Sequence, residues 1–262
     1  LHIKKANHFL PRVKGGFELD ASVSRWIFPK YTEKKLIDKV NAFFERIMQE
    51  GVLGQLLDSY NGQYHQLSPG DIYFFKQKVQ TILPGLKNLF LQAERLTDID
   101  WRLIAALAYQ ESHWNAQAKS STGVRGIMML TRETARRMNV KNPSDSRQSI
   151  LAGARYLQMM KDKLPESVLE PDRTWMALAA YNIGFGHLQD ARDLARRLGR
   201  PENSWHGVRS VLPLLQQKKY YSTLDHRYAR GNEAVMYVDR IRTYYKMPVS
   251  YTHLTLPTKR IV

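Results

Sequence analysis

The amino-acid sequence predicts a mainly α-helical domain over residues 67–250, and three observations indicate this fold class. Apolar residues in that region recur every three or four positions, the period of a helix that buries one face. Gly, Pro and Asn interrupt the pattern at spacings typical of helix ends. No strand-length alternation of apolar and polar residues recurs after about residue 66. We therefore expect an all-α bundle.

The first three helices of this domain are predicted from capping residues and apolar faces. The sequence Ser68-Pro69-Gly70-Asp71 contains a capping Ser, a Pro at the first helical position and an acidic residue where a capping box has one. A second helix is expected after Pro84, and a third after Asp100, which is its predicted N-cap. The inner faces of the first two contain Ile72, Phe75, Val79, Leu86, Leu89, Phe90, Ala93 and Leu96.

Six more helices are predicted from the same spacing. They are expected at residues 131–138, at 144–160, from Asp172 to Asn182, at 187–198, at 204–212, and from about Asn232 to Tyr245. The final twelve residues, 251–262, continue no helical period, and we interpret them as a non-native tail.

Residues 1–66 differ from the bundle and are predicted to be the end of another domain. Residues 17–28 have the composition of a short strand region, and an amphipathic helix follows from Thr32 to Gly51. A second helix is predicted over residues 52–60. This apolar helix pair needs a larger surface to pack against than the preceding residues supply. Because the chain also starts at Leu1 without a signal peptide, we expect a fragment that lacks its original front.

Composition limits the classes of function. The chain has no Cys, which excludes thiol catalysis, thiolate metal sites and disulfide scaffolds. Its eight His residues show no metal-ligand spacing, so we expect no metal and no cofactor. No run of about 18 apolar residues predicts a membrane span. The net charge of +16 favours an anionic partner, but the basic residues are spread along the chain and match no nucleic-acid-binding motif.

One carboxylate has an unusual position. Glu111 continues the apolar stripe of Ile104, Leu107 and Ala108 and lies in the last turn of the predicted helix. Partial burial and the negative end of the helix dipole both disfavour its ionised form, which suits a general acid near neutral pH. The alternative is a solvated surface group, or a salt bridge to Arg125 or Lys119.

Several residues beyond Glu111 are candidates for the same site. Gly123 and Gly126 predict a sharp bend or a close backbone approach. Ser112 either stabilises the helix end or orients Glu111, and Asn182 either caps its helix or contacts a ligand. Met128 and Met129 are expected in the core or in a cleft wall.

Three separated pieces of the sequence resemble the lytic transglycosylase family, which has a lysozyme-like domain related to goose-type lysozyme and cleaves peptidoglycan. The first piece is Glu111-Ser112 followed by Ser120, Gly123, Gly126 and Met128, the second is residues 179–182, and the third is Tyr237-Val238. The resemblance implies that Glu111 is the sole catalytic acid and base. It implies a substrate-binding role for Ser112, Ser120, Gly126, Met128, Tyr181 and Asn182.

Departures from the family pattern point to one membrane-bound branch. The family commonly has Ala, Leu and Gln where this chain has Val124, Ile127 and Met129. The variant resembles a branch that joins a periplasmic solute-binding-like α/β domain to the catalytic one. Residues 1–66 would then be the C-terminal remnant of that regulatory domain, for which a muropeptide is a candidate ligand. The same resemblance implies peripheral association with the periplasmic face of the outer membrane.

The sequence also favours one reaction over its competitors. Glycosidases generally use two carboxylates, yet no Asp or Glu occurs between Ser112 and Arg132. A lytic transglycosylase needs only one, since the C6 hydroxyl of N-acetylmuramic acid closes on C1 and gives a 1,6-anhydro sugar. The alternatives are a goose-type muramidase that uses water, a non-catalytic cell-wall or muropeptide-binding module, and a nucleic-acid binder.

Overall fold

The computed structural model of the chain describes residues 32–49, 67–121 and 123–247. The predicted strand region at 17–28, the predicted helix at 52–60 and the tail at 251–262 lie outside these residues. Within the described ranges the regular structure is helical, and β pairing is limited to the isolated bridges Lys119–Arg125 and Arg125–Leu130. The mainly α-helical prediction is therefore confirmed for this part of the chain.

The described residues form eleven α-helices and one 3₁₀-helix. In chain order they are α1 Lys34–Gln49, α2 Pro69–Thr81, α3 Leu83–Thr97, α4 Trp101–Ser112, α5 Arg132–Arg137, α6 Ser146–Asp162, α7 Asp172–Ile183, α8 Phe185–Arg197, α9 Trp205–Val211, the 3₁₀-helix Leu212–Gln216, α10 Lys218–Tyr221 and α11 Gly231–Lys246.

Three helix starts are set by the capping residues read from the sequence. Ser68 and Asp71 form a reciprocal capping box at α2, with Pro69 at the first helical position. The Asp100 side chain accepts from the Arg102 amide at the start of α4, and Thr131 caps α5 in the same way. These side chains satisfy backbone donors that have no partner within the helix.

The core is built around α4 and α7, which are buried over most of their length. All residues from Leu103 to Tyr109 in α4 are buried, as are those from Thr174 to Ala180 in α7. Helix α3 packs against α4 and α6, while α11 packs against both α4 and α7. Burial of these apolar faces is the main stabilising contribution. The end of α4, where Glu111 lies, is therefore held by neighbouring helices on several sides.

One detail of the helical prediction needs correction, and two short helices were not predicted. Leu96 was assigned to an inner face but is 44% exposed, since α3 turns that position towards solvent. After α9 the chain continues as the 3₁₀-helix, whose first turn contains Pro213, and then as α10. Proline is tolerated there because the first-turn N–H has no helical partner. None of the helices in the described ranges has the length and apolar character needed to cross a membrane.

Candidate active site

The end of α4 holds Glu111 in a defined position. The helix stops at His113, whose φ of 52° is left-handed, and Trp114 follows with φ of 60°. The buried Trp114 indole turns back and donates from Nε1 to the carbonyl oxygen of Ala105 at 2.8 Å. Two consecutive left-handed residues reverse the chain at once, and the indole fixes that reversal against the helix. Glu111 is therefore presented at the last turn of a rigid element.

Glu111 is half-buried, and its carboxyl group has one hydrogen-bond partner. The Tyr237 hydroxyl donates to Oε1. Burial raises the pKa of Glu111 to about 7, while the bond from Tyr237 acts in the opposite direction by stabilising the anion. The predicted desolvation of this carboxyl group is supported, but the salt bridge considered for Arg125 or Lys119 does not form.

The second carboxyl oxygen of Glu111, Oε2, is the one available for proton transfer. Within the described ranges, Oε2 has no hydrogen-bond partner and is not among the buried polar atoms that lack one. It therefore keeps contact with solvent space. A pKa near 7 leaves comparable amounts of acid and carboxylate at neutral pH, so Oε2 can both give and accept a proton.

Tyr237 belongs to the third family-like piece of the sequence, but the sequence reasoning assigned it no role in the site. It lies on the buried face of α11 with Ala234 and Ile241, three positions before and four positions after it. Burial first, and then the charge of Glu111, hold the pKa of Tyr237 well above its usual range, so the phenol stays neutral and can donate. A tyrosine on an otherwise apolar helix face was the available signal, because a buried phenol needs a polar partner.

Tyr181 adjoins the same carboxyl group without bonding to it. Its hydroxyl donates to the carbonyl oxygen of Met128 at 2.9 Å, and its ring meets that of Tyr156 edge to face, with 5.2 Å between the centroids. Burial and the nearby charge of Glu111 both raise the pKa of Tyr181. The structure therefore brings α4, α7 and α11 together around one carboxylic acid.

The glycine loop, residues 123–130, is tied to the end of α4. Ser112 Oγ lies 2.8 Å from the carbonyl oxygen of Ile127, to which it donates, and it accepts from the Asn115 amide at 3.2 Å. Of the two roles considered for Ser112, stabilising the helix end and its loop is the one that its bonds support. No bond joins Ser112 to Glu111.

Gly126 is required by its surroundings. Its φ is 84°, and a Cβ atom there would lie 1.9 Å from the carbonyl oxygen of Pro143. Two residues later, the Met128 amide donates a hydrogen bond to Ser149 Oγ at 3.2 Å. Close backbone packing, rather than exposure to a ligand, accounts for this glycine.

The predicted substrate-binding residues fall into two groups. The Met128 side chain is fully buried, and Gly126 is also buried, so neither has a surface for a ligand, and both instead shape the loop. Ser120 is half-buried and accepts from the Val124 amide at 3.1 Å. Asn182 is exposed and does not cap α7, because Gly184 occupies the C-cap. Direct contact therefore remains open to Ser120, Tyr181 and Asn182.

A half-buried acid that is bonded to Tyr237 of α11 and adjoined by Tyr181 of α7 fits the class of protein predicted from the sequence. Residues 88–203 match the family described as Transglycosylase SLT domain. This match confirms the predicted relation to the lytic transglycosylases.

The relatives that are similar to this chain share a single, more specific name. The chain is 54% identical to membrane-bound lytic murein transglycosylase F of Methylobacillus flagellatus over 222 residues, which is 85% of this chain and 47% of that protein. The protein of that name in Nitrosospira multiformis is 50% identical over 250 residues, covering 95% of this chain and 52% of the relative. A third, from Marinobacter nauticus, is 43% identical over 254 residues. The chain thus spans about half the length of these relatives.

Proposed function

We propose that this chain is the catalytic part of a peptidoglycan lytic transglycosylase. It would cleave the β-1,4 bond between N-acetylmuramic acid and N-acetylglucosamine and leave a 1,6-anhydro end. The observation that carries this proposal is Glu111, a half-buried acid with a pKa of about 7 and one free carboxyl oxygen. The similarity of the chain to proteins named lytic murein transglycosylases supports peptidoglycan as the substrate.

In the first step Glu111 acts as an acid. Oε2 donates its proton to the glycosidic oxygen while the bond from that oxygen to C1 of N-acetylmuramic acid breaks. The leaving N-acetylglucosamine gains a hydroxyl, positive charge develops at C1, and Glu111 becomes a carboxylate. The Tyr237 hydroxyl on Oε1 stabilises the carboxylate, because a hydrogen bond to the charged form favours it.

In the second step the same residue acts as a base. The Glu111 carboxylate removes the proton from the C6 hydroxyl as O6 bonds to C1. The anhydro ring closes, Glu111 is protonated again, and no water is consumed. A nucleophile within the same sugar is already positioned, and this proximity lowers the entropic part of the barrier.

The surroundings of Glu111 favour this route over hydrolysis by two carboxylates. Retaining glycosidases place their carboxyl groups about 5–5.5 Å apart and inverting ones about 6.5–9.5 Å apart. In the part of the chain that the structure describes, no Asp or Glu bonds to Glu111 or shifts its pKa. The hydrogen bond and the pKa of Glu111 therefore indicate no partner carboxylate among these residues.

Digestion of purified murein in ¹⁸O-labelled water tests the proposal. Mass spectrometry should find 1,6-anhydro ends, each lighter than a reducing end by one water, with no ¹⁸O at C1. Reducing ends that contain ¹⁸O would instead identify a goose-type muramidase, the second candidate. That candidate rests on the same acid, since Glu111 can also protonate the leaving oxygen of a hydrolysed bond. Release of no fragment would leave a non-catalytic wall-binding module.

The domain boundaries and setting belong to the same proposal. We infer that residues 67–250 form the lysozyme-like catalytic domain and that residues 1–66 end a solute-binding-like regulatory domain that takes muropeptides. The whole protein would act on glycan strands at the periplasmic face of the outer membrane. The words "membrane-bound" in the relatives' names support this location. Expression of residues 67–250 alone should give a folded enzyme, and failure to fold would contradict the boundary.

A further inference from the structure

A cavity lies on the glycine loop, and Glu111 is not among its lining residues. It has a volume of about 290 Å³. Its lining combines two arginines with apolar and small residues, which are Gly123, Arg125, Leu130, Arg132, Ala135 and Pro143. The sequence predicted a bend or a close backbone approach at Gly123, and it predicted no ligand contact for the other five residues. The catalytic steps described above use no residue of this cavity.

The two arginines of the cavity have no structural role that would explain them. Both side chains are exposed, and neither guanidinium group forms a hydrogen bond or an ion pair within the described ranges. Arg173 is a useful contrast, because its guanidinium group donates to four backbone carbonyl groups and so holds a turn together. Arg125 and Arg132 therefore present donors that are free to meet an anion.

Chain topology places this cavity beside the catalytic residues. Arg125 and Leu130 pair across the glycine loop, and the residues between them include Ile127, whose carbonyl oxygen accepts from Ser112 of α4. Met128, also between them, accepts from Tyr181. A ligand in the cavity would thus contact the loop that is bonded to the catalytic helices. A branch of the same substrate is a suitable occupant.

The size and chemistry of the cavity narrow the ligand. Sites for whole small molecules generally measure about 300–1,000 Å³, so this cavity lies at the lower limit and suits one branch of a larger ligand. Arginine forms paired hydrogen bonds with planar carboxylates, and the walls of Leu130, Ala135 and Pro143 suit an aliphatic stem.

We propose that this cavity binds a carboxylate of the stem peptide that branches from the glycan strand. The inference rests on the proposed function and adds to it a preference for peptide-bearing over bare glycan. Arg125 and Arg132 supply the charge, and the apolar wall holds the methylene groups next to the carboxylate.

Binding to sacculi separates this proposal from catalysis. The full chain with Glu111→Gln is sedimented with three preparations: intact sacculi, sacculi stripped of peptides by an amidase, and sacculi whose carboxylates have been chemically amidated. Adding Arg125→Gln and Arg132→Gln together should weaken binding to intact sacculi about tenfold, as loss of charge-assisted bonds predicts. Binding to stripped or amidated sacculi should change less than about twofold.

The double variant Arg136→Gln and Arg137→Gln is the matched control. It removes the same two charges from α5 at exposed positions that do not line the cavity, so it measures non-specific attraction alone. The proposal would be overturned if the control variant weakened binding to intact sacculi equally. It would also be overturned if the test variant, with Arg125→Gln and Arg132→Gln, lost as much binding to amidated sacculi as to intact ones. Unchanged binding of the test variant to intact sacculi would overturn it as well. None of these readouts needs turnover, and a wild-type chain that releases no anhydro product would contradict only the catalytic proposal.

Discussion

Replacing Glu111 by Gln should make the protein more stable above neutral pH, and the size of the effect can be worked from its pKa. Burial raises that pKa from 4.5 to about 7 in the folded state. A carboxyl group whose pKa rises on folding opposes folding once it is ionised. The penalty is absent below pH 4.5, where both states are protonated, grows between pH 4.5 and 7, and is constant above that. Gln has no such ionisation.

One pKa unit corresponds to about 1.4 kcal/mol, so the full displacement sets an upper bound of about 3.5 kcal/mol. Because Glu111 keeps some contact with solvent, we expect about 1–2 kcal/mol at pH 8. For a domain of this size that is an increase in Tm of about 3–6 °C. A gain of stability on removing a catalytic group is typical of sites in which burial serves activity.

Thermal unfolding of both proteins at pH 4, 5, 6, 7 and 8 measures this effect. The difference in Tm between variant and wild type should rise through the interval from about pH 4.5 to 7 and then level off. Glu133→Gln, at an exposed position on α5, is the control and should show no such rise. A difference that does not depend on pH, or a wild type that is the more stable protein at pH 8, would refute the buried-acid reasoning.

Two further predictions follow from contacts at the site. Tyr237→Phe removes the donor to Glu111, so the pKa of the acid should rise and the alkaline limb of kcat/KM should move to higher pH; an unmoved limb would count against the bond. Gly126→Ala should lower stability by about 3 kcal/mol or more in denaturant titrations, because the new methyl group meets Pro143 and φ is 84°. Gly85→Ala, which meets nothing within 4 Å, should change stability by about 1 kcal/mol at most, and equal losses in both would contradict this reasoning.

Helix positions were predictable because their signals are local. The capping box at Ser68 and the caps at Asp100 and Thr131 each lie within three residues of the amide that they satisfy. The position of Glu111 on a buried stripe was equally local, since residues four apart share a helix face. Its half-buried state could therefore be inferred from one turn of sequence.

Contacts between distant parts of the chain were not predictable in this way. Tyr237 is 126 residues from Glu111, and only the packing of α11 against α4 brings the two together. The buried position of Met128 likewise depends on α6, where Gly153 leaves room for its side chain. The helical period of a sequence contains no information on which residues of different helices meet. The sequence therefore indicated the acid, Glu111, but not that Tyr237 bonds to it.

The most direct test of the central claim is the rate at which wild type and Glu111→Gln release 1,6-anhydro ends from murein. Both proteins must first be shown to be folded at the pH of the assay. Loss of the single acid and base should lower the rate by at least about a thousandfold, since it removes proton transfer from both steps. Glu133→Gln should retain the wild-type rate. A Glu111→Gln variant that still releases anhydro ends at a rate close to wild type would contradict the account.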